Sequence, residues 1–254
     1  MDQTPDQVTV YFANGESRTG DLLVAADGIY SKARSLYWPD SSPRYQGYVG
    51  WRGQVKHPLD NWDEGMAMQY WGQGKRFGLL RMSAERMYWF AALNSLNPEA
   101  DMNLIRKKDY LVNLFRPWHS SVRDALSRTD ENDILVRPIE AVPALTSFIK
   151  DRVVLLGDAA HAMTPNLGQG ACMAIEDAAV LTRCLQKSES VSVALKTYQR
   201  QRAPRVNQVR GRSQLLGQIG QWDNPLMVTL RTLGLSLAPN LITQQSFKSL
   251  FKAV

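Results

Sequence analysis

The sequence predicts a mixed α/β fold, and three observations carry that prediction. An apolar, β-branched run at 152–156 precedes a glycine-rich loop, and an apolar pattern of helical spacing follows at 171–185. Short aromatic segments separated by turn residues between 45 and 94 indicate an antiparallel sheet with one covered face. After Leu185 the pattern is helical, so the chain is predicted to end in helices.

A β-hairpin is predicted first along the chain. Val8–Phe12 and Ser17–Val24 are rich in strand-forming residues, and between them lies Asn14-Gly15, a dipeptide typical of tight hairpin turns. The second arm is expected to run on into a strand at 21–26.

The central region is predicted to supply the sheet and then a helical stretch. The candidate strands are Tyr48–Val55, Met66–Trp71, Phe77–Met82 and Met87–Leu93. Gly72–Lys75 is predicted to form a tight turn, and a helical pattern at 103–129 is followed by a strand at 134–136. Proline removes a backbone donor, so helix boundaries are expected at Pro204, Pro225 and Pro239.

Composition places the chain among globular proteins. Hydrophobic residues make up 44% and charged residues 21%, and no apolar run reaches the roughly 18 residues of a membrane span. The first residues have no secretory-signal pattern, so a cytoplasmic location is expected. The three histidines have no ligand spacing, so no metal site is predicted.

The net charge of +6 is concentrated in one predicted helix, at Arg200, Arg202, Arg205, Arg210 and Arg212. A nucleic-acid surface is compatible with this charge, but no aromatic residues interleave the arginines. A solvated helix face is the favoured interpretation, and no nucleic-acid partner is predicted.

The glycine-rich loop has the chemistry of a ligand site. Asp158 follows the strand, and its carboxylate can accept hydrogen bonds from sugar-alcohol hydroxyls. Gly168 and Gly170 let a ligand approach bare backbone, and the helix N-terminus offers unpaired N–H groups and a positive dipole end. The loop therefore suits a polyol chain that ends in an electron-rich carbonyl edge.

Residues 157–178 closely resemble the second flavin-contact motif of the FAD-dependent aromatic-ring monooxygenases, the p-hydroxybenzoate hydroxylase class. The sequence at 168–178 most resembles the urate hydroxylase and zeaxanthin epoxidase branches. The resemblance implies that Asp158 anchors the ribityl chain and that Pro165 packs against the flavin ring. The residues it assigns to the cofactor are Gly157, Asp158, Pro165, Leu167, Gly168, Gln169 and Gly170.

A second motif runs from Asp27 to Arg34 and is similar to the Asp-Gly motif of the same family. The resemblance implies that Asp27 and Gly28 shape the flavin and nicotinamide side of a cleft. Ser31 is expected to cap a short helix, and Arg34 to pair with Asp27 or with a phosphate.

The family resemblance implies a domain order and a reaction. Residues 1–40 and 141–190 would belong to a partial FAD/NAD(P)-binding, Rossmann-like domain, 41–140 to an inserted antiparallel substrate domain, and 191–254 to C-terminal helices. The expected activity is a monooxygenase reaction through a flavin hydroperoxide, with FAD as cofactor and NAD(P)H as reductant. The implied substrate is a small, electron-rich aromatic, heterocyclic or isoprenoid molecule, which is hydroxylated or epoxidised.

Arg76 and Tyr88 are the substrate candidates. They stand twelve residues apart, as in the urate hydroxylase branch, where the arginine holds substrate and the tyrosine faces it. A surface arginine at a strand end is an equally good interpretation. We expect the two residues to lie on neighbouring antiparallel strands in which opposed positions sum to 168–170, with both side chains turned toward the loop at 165–170.

The family resemblance implies that the sheet covers the flavin ring. The sheet is rich in aromatic residues, which suits a pocket for a flat substrate. Core packing is the better interpretation for most of these residues, because strand positions alternate between faces. The aromatic positions in question are Trp51, Tyr70, Trp71, Tyr88, Trp89 and Phe90.

The sequence contains no Gly-x-Gly-x-x-Gly turn, which the family uses to bind the FAD pyrophosphate. The chain is therefore expected to be an N-terminally truncated member that binds FAD weakly or not at all by itself. The expected partners, besides a small-molecule substrate, are a missing N-terminal ADP-binding region or a second copy in a homo-oligomer. Two alternatives stay open: a non-catalytic remnant or interaction module, and a flavin-dependent reductase of the same fold.

Overall fold

The computed structural model describes residues 1–57, 59–60 and 62–237, and it divides into two compact units. Within the described residues, unit 1 comprises Met1–Arg44 and Glu140–Gly217, and unit 2 comprises Tyr45–Ile139 and residues 218–237. The predicted roles stay predictions: a FAD-binding domain at 1–40 and 141–190, a substrate domain at 41–140, and C-terminal helices at 191–254.

Groups of strands and groups of helices follow one another along the chain, which gives the mixed α/β fold that the sequence predicts. The strands are β1 (Asp2–Gln3), β2 (Val8–Tyr11), β3 (Ser17–Gly20), β4 (Leu23–Ala25), β5 (Arg44–Lys56), β6 (Ala67–Trp71), β7 (Lys75–Arg81), β8 (Arg86–Asn94), β9 (Leu135–Ala141), β10 (Ile149–Lys150) and β11 (Val153–Leu155). The helices are α1 (Lys32–Tyr37), α2 (Pro98–Met102), α3 (Lys107–Leu114), α4 (Ser120–Arg128), α5 (Asp158–His161), α6 (Gly170–Lys187), α7 (Val191–Gly220) and α8 (Pro225–Leu237).

The predicted hairpin is confirmed as β2 and β3, which pair from Val8↔Gly20 to Tyr11↔Ser17. The predicted continuation of its second arm into the next strand is wrong. β3 ends at Gly20, and β4 belongs to a different sheet. The break begins at Asp21, directly after Gly20, and strands disfavour both residue types.

The strand before the glycine-rich loop is confirmed as β11, which is buried and pairs in parallel with β4. Its three residues are fully buried, as expected for a parallel strand covered on both faces. Val154 and Leu155 join a core to which α6 and α7 contribute Met173, Val180, Leu181, Leu195 and Tyr198, among others. Both arms of the predicted strand–loop–helix unit are therefore present in unit 1.

Unit 2 is built on a five-stranded sheet in the order β6-β7-β8-β5-β9. The odd-numbered residues of its central strands, such as Phe77 and Trp89, pack against α3 and α4 and form the covered face. Trp51 also lies on this face and stacks on Tyr110. The core-packing interpretation is therefore correct for Trp51 and Trp89.

The stretch predicted as helical at 103–129 forms two helices, α3 and α4, preceded by the short α2. The interruption coincides with Pro117, which biases the residue before it away from helical backbone. His119 then caps α4, because its ring nitrogen accepts from the Ser121 N–H at 3.3 Å.

The boundary predicted at Pro204 is wrong, because this proline lies inside α7. The helix continues through it because buried residues anchor the chain on both sides, Tyr198 and Arg202 before it and Val206 after it. Pro225 does begin α8, as predicted, and Pro239 lies outside the described residues. Of the helices in the described residues, none combines the length and apolarity needed to cross a bilayer.

The central sheet leaves no room for a side chain at Gly78. A Cβ atom at Gly78 would lie 2.1 Å from a ring carbon of Phe90, its neighbour on β8. We expect Gly78→Ala to lower the free energy of unfolding by about 1–3 kcal/mol through overpacking. Urea denaturation measures the change.

Gly20→Ala is the matched control for this substitution. Gly20 is also a strand glycine, but the nearest atom to its added Cβ is 4.0 Å away. Its alanine variant is expected to be neutral or slightly more stable than the parent protein. Equal losses in the two variants would mean that strand backbone, not contact with Phe90, sets the effect.

Candidate functional site

The loop after β11 presents a carboxylate to solvent. Gly157 has φ +56°, and an added Cβ would lie 3.0 Å from the Cβ of Ala174, so the turn and the close approach of α6 both favour glycine here. Asp158 follows as the first residue of α5, and its side chain is exposed. The predicted placement of Asp158, beyond the end of a buried parallel strand, is confirmed.

Residues 165–170 complete the loop with open backbone. Pro165–Leu167 form one 3₁₀ turn, Gly168 is left-handed at φ +64°, and α6 begins at Gly170 as predicted. Gln169 is the N-cap residue of α6, but its side chain does not cap the helix. Among the described residues, no atom lies within 4 Å of a Cβ added at Gly168 or Gly170. The N–H groups of this helix end can therefore meet a ligand directly.

A buried polar network holds the loop in place, and Asp177 is its centre. One carboxylate oxygen accepts from the Gly157 N–H at 3.0 Å and from His161 Nε2 at 2.6 Å. The other accepts from Arg202 Nε at 2.7 Å. Asp177 and Arg202 are fully buried and His161 is 1% exposed, so the network joins the loop, α6 and α7 inside unit 1.

The interpretation of the arginine cluster as a solvated helix face is wrong for Arg202. Its guanidinium also donates to Glu176 at 2.5 Å and to the Met173 carbonyl at 3.1 Å, and Arg205 donates to Glu176 at 3.2 Å. Carboxylates on α6 neutralise these cations, which is why charged side chains are tolerated inside the unit. Arg200 and Arg212 are exposed, as expected for a solvated face.

The Asp-Gly turn is organised by its own side chains. Asp27 accepts from the N–H groups of Lys32 at 2.7 Å and Ala33 at 3.3 Å, and Ser31 caps α1 by accepting from the Arg34 N–H at 2.9 Å. Burial acts to raise the pKa of Asp27, but these donors and the Ser31 hydroxyl outweigh it and lower the pKa. Gly28 has φ +79°, which the turn requires.

Arg34 is buried and bonds to backbone carbonyls instead of to the Asp27 carboxylate. Its guanidinium donates to the Ala159 carbonyl at 2.9 Å and to the Ile29 carbonyl. Burial lowers the pKa of Arg34, while the nearby Asp27 charge opposes the shift. Arg34 thus ties the Asp-Gly turn to α5, and its predicted contact with a phosphate stays a prediction.

In unit 2, Arg76 and Tyr88 lie on the face of the sheet opposite α3 and α4. Arg76 pairs with Ala92 and Tyr88 with Leu80, so opposed positions sum to 168, within the predicted range. Because all four numbers are even, Arg76 and Tyr88 share one face. The orientation of that face toward residues 165–170 stays a prediction.

Arg76 is not a surface arginine. It is 3% exposed, its Nε donates to Gln221 Oε1 at 2.8 Å, and its guanidinium lies 5.9 Å from the Trp71 ring centroid. Burial lowers its pKa, but Arg remains a cation at neutral pH. Tyr88 is half-buried beside Phe90, with ring centroids 6.5 Å apart.

Comparison with known proteins shows which family the chain belongs to. Residues 1–213 match the FAD binding domain family. This chain belongs to the FAD binding domain family. Its members among curated proteins include FAD-dependent urate hydroxylase of Klebsiella pneumoniae, 35% identical over 213 residues, which cover 81% of this chain and 53% of that protein. Zeaxanthin epoxidases also match, so the resemblance to these two branches is confirmed.

Two other relatives are an aurachin C monooxygenase/isomerase and a quinolone synthase. Aurachin C monooxygenase/isomerase of Stigmatella aurantiaca is 38% identical over 231 residues, covering 89% of this chain and 58% of that protein. The 2-heptyl-3-hydroxy-4(1H)-quinolone synthase of Pseudomonas aeruginosa is 34% identical over 257 residues, covering 98% and 65%. The chain thus spans less than two thirds of the length of these relatives.

The family fold is also shown by solved structures. The structure of Klebsiella pneumoniae HpxO complexed with FAD and uric acid matches with a TM-score of 0.80 and 30% identity, covering 92% of this chain and 60% of that one. A salicylate hydroxylase substrate complex matches at 22% identity with a TM-score of 0.75, which supports the fold alone.

The Asp177 network predicts how stability responds to acid. Burial acts to raise the pKa of Asp177, but His161, Arg202 and the Gly157 N–H outweigh it and lower the pKa. The pKa of Glu176 is likewise lowered by Arg205 and Arg202 against the effect of burial. Both groups therefore bind protons less readily in the folded chain than in the unfolded one.

The folded chain is expected to lose stability as the pH falls. The contribution of these carboxylates is fully present above their unfolded values of 3.8 and 4.5, and it is lost as the pH drops through the lower folded values. Urea unfolding between neutral pH and about pH 3 measures this slope. Stability that rose on acidification would contradict the assignment.

Proposed function

We propose that this protein acts as a FAD-dependent monooxygenase, with NAD(P)H as reductant and an electron-rich ring compound as substrate. One observation carries the proposal: a single loop presents an exposed carboxylate, Asp158, and the open, glycine-lined N-terminus of α6. Family membership and the monooxygenase and hydroxylase names of its relatives support it.

The residues of unit 1 fit FAD. Bound FAD supplies hydride acceptance and oxygen activation, which no side chain provides. The Asp158 carboxylate would accept hydrogen bonds from ribityl hydroxyls, and Pro165 would pack against the ring. The N–H groups from Leu167 to Gly170 would stabilise negative charge on the ring's carbonyl edge, as helix N-termini do for anions.

The proposed substrate class is a flat fused-ring heterocycle. One relative is a 2-heptyl-3-hydroxy-4(1H)-quinolone synthase and a solved relative is complexed with uric acid, and both molecules are fused-ring heterocycles with carbonyl groups. The sheet face of unit 2 suits such a molecule, because Tyr88 and Phe90 offer aromatic surface and Arg76 a fixed cation.

Cys172 and Cys184 are free thiols, which is typical of the cytoplasmic location we propose.

The proposal is tested with the chain alone and with an extended form, in which a βαβ unit carrying Gly-x-Gly-x-x-Gly precedes the chain. Each is given FAD, NAD(P)H, and a 4-quinolone or urate. We expect substrate-dependent oxygen uptake and a product heavier by one oxygen atom. NAD(P)H oxidation without an oxygenated product would indicate the reductase alternative. Absence of flavin binding by both forms would indicate the non-catalytic alternative.

Removal of the Arg76 cation is expected to weaken substrate binding. Arg76→Ala should raise KM for an anionic heterocycle about ten- to a hundredfold, because a hydrogen bond to a charged group is worth roughly 1.5–3 kcal/mol. NAD(P)H-dependent flavin reduction should persist. Steady-state kinetics of the extended form measures both quantities. Arg86→Ala, which alters an exposed arginine of the same sheet, is the control, and an unaltered KM in Arg76→Ala would refute the role.

A further inference from the structure

Helix α8 carries a leucine stripe, defined here as Leu226, Leu230, Leu233 and Leu237, that the rest of the described chain leaves uncovered. The exposed fractions are 63%, 52%, 53% and 84%. An exposed apolar stripe of this kind on a globular protein marks a contact surface more often than chance. Helices of 13 residues are marginal in water and gain most of their stability from packing of an apolar face.

Other contacts secure α8 without using the stripe. Arg231 is 6% exposed and donates to the carbonyls of Ile219 and Gly220 at 3.1 Å and of Gly72 at 2.9 Å. Asn224 caps the first turn by accepting from the Leu226 N–H at 3.0 Å. Arg231 therefore faces into unit 2, and the apolar stripe lies on another side of the helix.

We propose that the leucine stripe binds a second copy of this chain, with the two α8 helices packed antiparallel about a two-fold axis. The spacing of the four leucines is 4-3-4, the spacing of a coiled-coil seam. It reads the same in both directions. An antiparallel pair therefore places Leu226 opposite Leu237 and Leu230 opposite Leu233 of the other copy, as an isologous two-fold contact requires.

Charge favours a second copy over a lipid surface. Arg231 is the only charged residue of α8, and it is turned inward, so two copies of the helix do not repel each other. Helices that bind membrane surfaces typically carry several exposed lysines or arginines beside the apolar face, and α8 exposes none.

The size of the stripe sets the expected affinity. It presents on the order of 500 Å² per copy, so the pair would bury about 1,000 Å², near the lower limit for a specific interface. We therefore expect a monomer–dimer equilibrium with a micromolar dissociation constant. The proposal does not depend on the proposed enzymatic function.

Sedimentation velocity of the chain across about 1–300 μM tests it, since this range brackets a micromolar constant. We expect a concentration-dependent dimer. The double variant Leu230→Glu/Leu233→Glu should weaken dimerisation at least thirtyfold, because it buries charge at the centre of the seam. Leu96→Glu is the matched control: Leu96 is fully exposed outside α8, and its variant should dimerise like the parent chain.

Hydrogen exchange of the unaltered chain supplies a readout that needs no variant. Protection of residues 226–237 should rise with protein concentration. A chain that stays monomeric throughout, or a double variant that dimerises normally, would overturn the proposal. So would concentration-independent protection, which would mean that the chain's own residues after Leu237 cover the stripe, or binding of the monomer to phosphatidylglycerol vesicles.

Discussion

Asp177→Ala is expected to lower the free energy of unfolding by about 3–5 kcal/mol, because it leaves the buried Arg202 cation without its fully buried counter-ion. The same substitution removes the acceptor of the Gly157 N–H and of His161. The loss is a large fraction of the roughly 5–15 kcal/mol that stabilises a typical domain. Urea denaturation followed by far-UV circular dichroism measures it.

An exposed ion pair provides the control. Asp109 pairs with Arg106 on α3, where the two side chains are 50% and 82% exposed. Asp109→Ala should cost no more than about 1 kcal/mol, because solvent screens the pair. If Asp177→Ala cost no more than Asp109→Ala, the network around Asp177 would not hold unit 1 together as its geometry indicates.

Asp158→Ala is expected to weaken FAD binding ten- to a hundredfold without destabilising the fold. The carboxylate is exposed, so its removal leaves no buried group unpaired. Its proposed hydrogen bonds to ribityl hydroxyls would each involve a charged acceptor, worth about 1.5–3 kcal/mol. Quenching of flavin fluorescence during titration of the extended form gives the dissociation constant.

Glu189→Ala is the control for this prediction, since Glu189 is an exposed carboxylate of unit 1 outside the loop. Its variant should bind FAD like the parent protein. An unchanged dissociation constant in Asp158→Ala would remove the ribityl role. A matching fall in unfolding free energy would show instead that Asp158 acts on the fold.

Local patterns in the sequence were sufficient to predict most strands of unit 2 and the register of one pair, β7 with β8. Strict alternation fixed which residues of β7 and β8 share a face, and the short turn after Arg81 left little freedom in the pairing. Arg76 pairs with Ala92, so the observed sum of 168 lies at the lower end of the predicted range of 168–170. The loop from Gly157 to Gly170 was predictable for a similar reason, since glycine, strand and helix signals adjoin in sequence.

The pairing of Asp177 with Arg202 was not predictable in this way. The two residues lie 25 positions apart on different helices, and a charged residue in an amphipathic pattern has the same sequence signal whether it is solvated or paired inside. The available signal was Asp177 itself, an acidic residue that interrupts the apolar run of α6. The same limit applies to Pro204, whose helix is continued by tertiary anchoring and not by local preference.

The parallel pairing of β4 with β11 has a consequence for how the chain folds during synthesis. Leu23 is matched to Val153, so the contact spans about 130 residues of chain. Strands β6, β7 and β8 pair through short turns, and such local contacts form early, whereas distant ones bear a loop-closure cost. During synthesis, β4 therefore stays unpaired with β11 until the strands of unit 2 have been made and β11 itself has left the ribosome.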